Sequence, residues 1–475
     1  MPKTGSLIVL ALGLLSLAGC AAIPELRKAT PELPASWPQQ AGQSAIPMAS
    51  DWWNAYGDPQ LETLIQEALA RNADIRLAAA RIEEARANLG LARADQALQL
   101  QGSADVSRSR RTEVGAMPAG GSPTNNTYKA QLQAAYELDL WGRYREASNA
   151  TRSELLASEY GRDVVRISLT SEVAQAYFAL RALDAQLALV DRTRANRQAA
   201  VDLQALRLDA GVSSELELRQ AQAELAGLEA SLAQLTQGVR QQELALAVLV
   251  GRSPRALMED PIGRGKSLEA LGEPPTLPAS LPSELLERRP DLRQAEQNVL
   301  TSHARIKEAK AALYPDLSLT AYLGSESKAL SNLFSGPAAI WGLSAGIVQS
   351  ILNGGRTEAE LQVRDARQAQ ALIGYEQAVR QAFREVLDAL TAHRQARELA
   401  EAEGRRATAL ASAEKLADLR YRNGLSNYLT VLDAQRNALQ AELNRIDARR
   451  AQLSASADLA KAMGGGWQVA AARTP

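Results

Sequence analysis

"YKAQLQAAYELDL", residues 128–140, changes the period of an otherwise helix-rich chain. Tyr128, Ala130, Leu132, Ala134, Tyr136, Leu138 and Leu140 are apolar. Lys129, Gln131, Gln133, Glu137 and Asp139 stand between them, and only Ala135 is out of step. A period of two puts alternate side chains on opposite faces of a strand. Three further stretches alternate: "LQLQGSADVS" (98–107), "LSLTAYL" (317–323) and "WGLSAGI" (341–347). Such a strand either covers a soluble core or spans a membrane with lipid on one side and water on the other. The long polar stretch 108–127 and the ring residues Tyr128, Tyr136, Trp141 and Trp341 near strand ends fit the membrane reading. Four strands cannot close a barrel, and an open edge in hydrocarbon leaves backbone groups unpaired. Several copies must therefore complete the cylinder, and the local pattern allows two, three or four.

The chain has 475 residues and a net charge of −1, from 53 basic and 54 acidic side chains, so no global charge directs it to nucleic acid. Residues 1–19 read as a lipoprotein signal peptide: Lys3, the short apolar run "LIVLALGLLSL", then "LAGC" (17–20). Cys20 is the only cysteine and the expected bearer of covalent N-acyl and diacylglyceryl lipid; no other cofactor is expected. Ala21, where an Asp would retain the protein at the inner membrane, directs it to the outer membrane. No later stretch holds the roughly 18 uncharged apolar residues of a membrane helix, so any crossing uses strands.

The chain is written twice. "AGVSSELELRQAQAEL" (210–225) aligns with "NGLSNYLTVLDAQRNAL" (423–439) at an offset of 424 − 211 = 213, which also places "WGR" (141–143) on "GGR" (354–356). Upstream, "NADIR" (72–76) aligns with "RPDLR" (289–293) at 291 − 74 = 217. Each half reads as a helix (73–97, 290–313), a strand hairpin, a very long helix (143–209, 356–421), a glycine turn and another helix (214–250, 427–462). The expected strands cover about 98–107, 128–140, 316–324 and 340–351. A long helix of this kind extends roughly 100 Å at 1.5 Å per residue. The divisions expected are a lipid-anchored extension over 20–57, the first repeat over 58–250, a Pro- and Gly-rich connector over 251–282, the second repeat over 283–463 and a tail over 464–475.

These motifs together resemble the TolC family of outer-membrane efflux ducts, in its OprM- and NodT-like lipoprotein branch. The resemblance is carried by "LAGC" (17–20), "DWW" (51–53), "DPQLETLIQEAL" beginning at Asp58, "ELDLWGR" (137–143), "RRPDLRQAE" (288–296), "LNGGR" (352–356) and "YRNGLSNYLTVLDAQR" (421–436). It implies a mainly α fold with a small membrane β part: a homotrimer forming a twelve-stranded barrel and a twelve-helix periplasmic tunnel. One departure stands out, "DQALQL" where the second half has "LYPDLSL", so the first helix-to-strand break lacks the proline.

In "YLTVLDAQR", Leu429, Asp433 and Arg436 fall on one helical face at i, i+4 and i+7, which on spacing alone is an ordinary amphipathic stripe with an Asp–Arg pair. The resemblance implies that they close the tunnel's periplasmic end, Leu429 as an apolar ring and Asp433 with Arg436 as a charged one. Gly211 and Gly424 suit tight turns. The resemblance further implies that these turns, with Val212, Ser213, Leu425 and Ser426, meet a periplasmic adaptor joined to an inner-membrane pump of RND type. His303 and His393 are isolated on helices and read as surface polar residues; no catalytic, metal-ligand or phosphate-loop pattern appears, so no enzyme is expected. The function implied is the passive exit duct of a tripartite efflux system. Two alternatives are an outer-membrane channel for type I protein secretion and a periplasmic coiled-coil lipoprotein with no pore.

Overall fold

The computed structural model describes residues 32, 50–114, 123–272 and 282–466. The signal peptide, Cys20 and the last nine residues of the tail lie outside the described residues. In chain order the helices are α1 (Pro59–Arg71), α2 (Ala73–Ala94), α3 (Arg143–Asp209), α4 (Glu215–Leu249), α5 (Pro254–Glu259), α6 (Pro282–Arg288), α7 (Pro290–Ala311), α8 (Arg356–Arg422) and α9 (Tyr428–Ala462). The strands are β1 (Gln99–Arg110), β2 (Thr124–Leu138), β3 (Asp316–Ser327) and β4 (Ala339–Val348).

The duplication is kept to the residue in the helices. α2 and α7 have 22 residues each, α3 and α8 have 67, and α4 and α9 have 35. The two sequence offsets acquire a physical reason. From the start of β1 to the start of α3 is 143 − 99 = 44 positions, and from β3 to α8 is 356 − 316 = 40. The second hairpin is four residues shorter, so the offset drops from 217 to 213 across it.

Contacts divide the chain into two units. One gathers Ala85–Leu155 and Gln297–Gly374; the other gathers Pro31–Glu84, Leu156–Glu296 and Tyr375–Pro475. The first unit holds the sheet, whose order is β1-β2-β3-β4 with every neighbour antiparallel. Its two outer strands, β1 and β4, each have one unpaired edge. The register places Gly102, Leu132, Leu323 and Trp341 in one row, and Leu100, Ala134, Ala321 and Leu343 in another. This apolar face is bare: Leu100 is 69% exposed, Trp341 80% and Leu343 77%. A soluble sheet would bury it, at about 25 cal/mol for each Å² removed from water.

The same unit corrects one expectation, that of His303, and fills in two others. Trp141, grouped with the ring residues near the strand ends, is half-buried. It stacks on Tyr314 with centroids 4.7 Å apart, and its indole N–H donates to the Pro315 carbonyl at 2.9 Å, pinning one repeat's strand-to-helix joint to the other's helix-to-strand break. His303 is buried rather than on the surface, its Nδ1 3.2 Å from the Gln368 amide nitrogen. Burial pushes its imidazole below the ordinary value of 6.5, and nearby Lys307 adds to that. The first break manages without proline: Gln99 turns its side-chain amide back onto the Ala94 carbonyl at 2.8 Å, capping an orphan acceptor at the end of α2.

The second unit has its own core. Its plug is a short 3₁₀ turn, Trp52–Tyr56, at the end of the lipid-anchored extension expected over 20–57. Trp52, Trp53 and Tyr56 are instead buried with Leu61, Leu64, Tyr177, Phe178, Leu246 and Leu453. Asp58 caps α1 by accepting from the Gln60 backbone N–H at 2.9 Å, and its other oxygen accepts from the Tyr177 hydroxyl at 2.6 Å and the Lys266 N–H at 3.1 Å. One buried carboxylate thus fastens the connector to the first repeat.

Candidate functional site

The two helix turns that carry the expected site residues lie in the second unit and share one construction. At the end of α3, the Gly211 N–H donates to the Leu208 carbonyl and the Val212 N–H to the Arg207 carbonyl, both at 2.9 Å. At the end of α8, Gly424 donates to Tyr421 at 2.9 Å and Leu425 to Arg420 at 2.8 Å. This double bond requires a left-handed residue after the helix, and Gly211 and Gly424 take φ of 72° and 70°. The next helix then starts on a cap: Ser214 accepts from the Glu217 N–H at 3.3 Å and Asn427 from the Thr430 N–H at 3.0 Å.

Exposed apolar side chains surround both turns in matched positions. Leu203, Leu206, Val212 and Leu216 are exposed near the first; Leu416, Leu419, Leu425 and Leu429 near the second. Each pair is separated by 213 residues. Of the turn serines, neither offers its hydroxyl freely. Ser213 Oγ lies 3.1 Å from Gln204 Oε1 and 2.5 Å from Glu217 Oε2, bracing the turn from inside. Ser426 Oγ is buried with no hydrogen-bond partner among the described residues. Val212 and Leu425 are therefore the outward-facing members of the two turns.

The structure separates the stripe at 429–436. Leu429 is exposed, and the Asp433 carboxylate accepts from Asn437 at 3.2 Å. Arg436 turns away from its own helix and pairs with Glu224 on α4, Nε to Oε1 at 2.8 Å. That hydrogen bond raises the guanidinium above its ordinary value; the charge of Glu224 and then that of Asp433 add to it. The Asp–Arg spacing is thus real but the partner lies 212 residues away, on the other repeat. A solvated pair of this kind contributes only a fraction of a kcal/mol, so its weight is in geometry.

Two more links join the repeats here, and the sequence reading missed both. The Tyr421 hydroxyl on α8 accepts from Gln204 at 3.0 Å and from Arg207 at 2.8 Å, both on α3, with the Arg207 guanidinium 5.3 Å above the ring. Deeper in, Arg197 is buried and donates to the Gln435 side-chain oxygen. Burial lowers its pKa, against an opposing pull chiefly from Glu414. Glu414 is itself raised by burial, with Arg197 opposing. Tyr421 stands inside a motif picked out from sequence; Arg197 and Glu224 stand in none. Between these links lies a small apolar cluster of Ala221, Tyr428, Val431 and Leu432.

Known proteins resemble the chain over nearly its whole length. The outer membrane efflux protein family matches residues 64–252 and again 281–465, one match for each repeat. The solvent efflux pump outer membrane protein SrpC of Pseudomonas putida is 34% identical over 467 residues, covering 96% of this chain and 97% of SrpC. The cation efflux system protein CusC of Escherichia coli is 32% identical over 458 residues, covering 95% and 97%. The MtrE outer membrane channel of Neisseria gonorrhoeae, crystallised in an open state, superposes with a TM-score of 0.84 at 32% identity, covering 94% of this chain and 98% of MtrE.

Proposed function

This chain belongs to the outer membrane efflux protein family, and from that premise we propose that it is the exit duct of a tripartite efflux system. Three copies close one twelve-stranded barrel in the outer membrane and continue it as a twelve-helix tunnel in the periplasm. The observation that carries this reading is the sheet: four strands, one bare apolar face, and an unpaired edge on each outer strand. A free edge and a bare face are tolerated in a bilayer only when neighbouring copies pair the edges and lipid covers the face. A pore-free coiled-coil scaffold has no use for either. Cys20 carries the lipid that anchors the mature chain beside the barrel.

The duct moves nothing by itself. An adaptor and an RND-type pump supply cargo and energy. SrpC is named for solvent efflux and CusC for cation efflux, so cargo class differs among relatives of this fold. The doubled set of exposed apolar residues at the two turns supports an adaptor contact made twice per chain, led by Val212 and Leu425 with Gly211, Ser213, Gly424 and Ser426 shaping the turns. The periplasmic end is closed by Leu429, Asp433 and Arg436. It opens when α8 and α9 swing away from α3 and α4. The Arg436–Glu224, Tyr421–Gln204/Arg207 and Arg197–Gln435 links support this reading, since each ties the moving pair to the static one. Three copies of Asp433 at the entrance favour cations.

The purified, lipid-bearing protein is expected to run as a trimer in detergent and to conduct ions in planar bilayers; a monomer that passes none defeats the duct. Cysteine placed at Val212 or Leu425 should crosslink to the adaptor, and silence at both, with capture at control positions, rejects the tip contact.

A further inference from the structure

The polar face of the sheet carries two acid–base–acid arrangements, and they are built differently. At the helix joint, Arg143 reaches Glu137 at 2.5 Å and Asp316 at 3.5 Å, so the base there neutralises its acids. Nearer the hairpin loops, the register sets Asp105 opposite Lys129 and Lys129 opposite Glu326. Lys129 is the only basic residue on the polar face of the four strands. Cross-strand neighbours of opposite sign ordinarily attract. Here the ammonium instead lies 5.9 Å from the centre of the Tyr322 ring, within cation–π range. Tyr322 stands four residues along β3 from Glu326, roughly 13 Å at 3.3 Å per residue. Among the described residues, no ion pair joins Lys129 to Asp105 or Glu326.

The ring has a prepared bed. It lies across Gly342 on β4, where an added Cβ would stand 2.6 Å from a ring carbon. Gly324, on the polar face between Tyr322 and Glu326, puts no side chain in the lysine's path.

We infer that Lys129, held by Tyr322, sets the ion preference of the barrel. The tether holds the cation off its two register partners, so the Asp105 and Glu326 carboxylates face the bore only partly offset and favour cations over anions. The device rests on the duct reading above and is separate from the periplasmic closure. It acts on whatever has already entered the tunnel, at the last level before the outside.

The test is the reversal potential of single channels under a potassium chloride gradient. All channels carry Asp433→Asn, so that the periplasmic end contributes less to the selectivity. Lys129→Gln removes the only opposing charge and is expected to raise the cation-to-anion permeability ratio about twofold. Tyr322→Leu frees the lysine to meet its acids and should lower the ratio by a similar factor. Tyr322→Phe keeps the ring face and should reproduce the parent. A reversal potential unchanged in Lys129→Gln or in Tyr322→Leu overturns the inference, as does Tyr322→Phe behaving like Tyr322→Leu. If the parent passes no ions at all, the duct reading falls together with it.

Discussion

The turns at Gly211 and Gly424 share their backbone bonds, their glycine angle and four exposed apolar positions. Away from those positions they part. Where the second carries Asp433 and Arg436, the first has Gln220 and Ala223. Where the second has Tyr421, the first has Leu208, and the buried Arg197 of the first repeat meets Leu410 as its counterpart. What the two tips share belongs to a task both perform, and an adaptor that grips each tip alike fits that. What only one tip owns belongs to a task performed once, and closure by one helix pair moving against the other fits that.

The largest effect expected from this division is on conductance. Asp433→Ala with Arg436→Ala should raise single-channel conductance severalfold, whereas alanine at Gln220 should leave it near the parent; an equal response at both tips would erase the distinction. Next comes the buried arginine. Gln435→Leu leaves Arg197 without its hydrogen-bond acceptor and should cost about 1–3 kcal/mol in a denaturant titration. Arg197→Leu, which copies Leu410, combined with Gln435→Leu removes donor and acceptor alike and should cost less than Gln435→Leu alone. Smaller again, Gly211→Ala and Gly424→Ala should each cost about 1 kcal/mol, because both force a side chain into the left-handed region. Unequal losses would mean that the shared turns are not equivalent.

The smallest effect is a pH dependence confined to one tip. Glu414 stands where the first repeat has Val201, and burial raises its carboxyl above the ordinary 4.5. A group whose folded pKa is raised gives its full stability below the unfolded value and loses it as pH climbs through the folded one. Thermal stability should therefore slip slightly as pH rises above 4.5, and Glu414→Gln should flatten that slope.

Much of this was legible before any coordinates. A period of two in residues 128–140 marked a strand, and odd offsets between repeats required the apolar parity to change, as it does at Leu132 and Leu343. Glycine before a capped helix marked both turns. Other features carry no such signature. Arg436 meets Glu224 across two helices, and no local spacing encodes a partner 212 residues away. Trp52, Trp53 and Tyr56 sit in a proline-rich stretch that reads as tether, yet their rings are large enough to plug a core formed by distant helices. His303 is buried because Gln368 arrives from α8, a fact its own helix does not announce. Each of these is settled by tertiary packing.

The equal lengths of α3 and α8, 67 residues each, also constrain how this protein can change. Inserting four residues into one of them pushes its turn onward by about 6 Å and rotates it by more than a full revolution. The twin turn stays behind, and a docking partner that needs both would find the pair out of step. Variation in the reach of either turn must then come as matched edits in both copies, so the duplication works as a caliper that holds the two turns level.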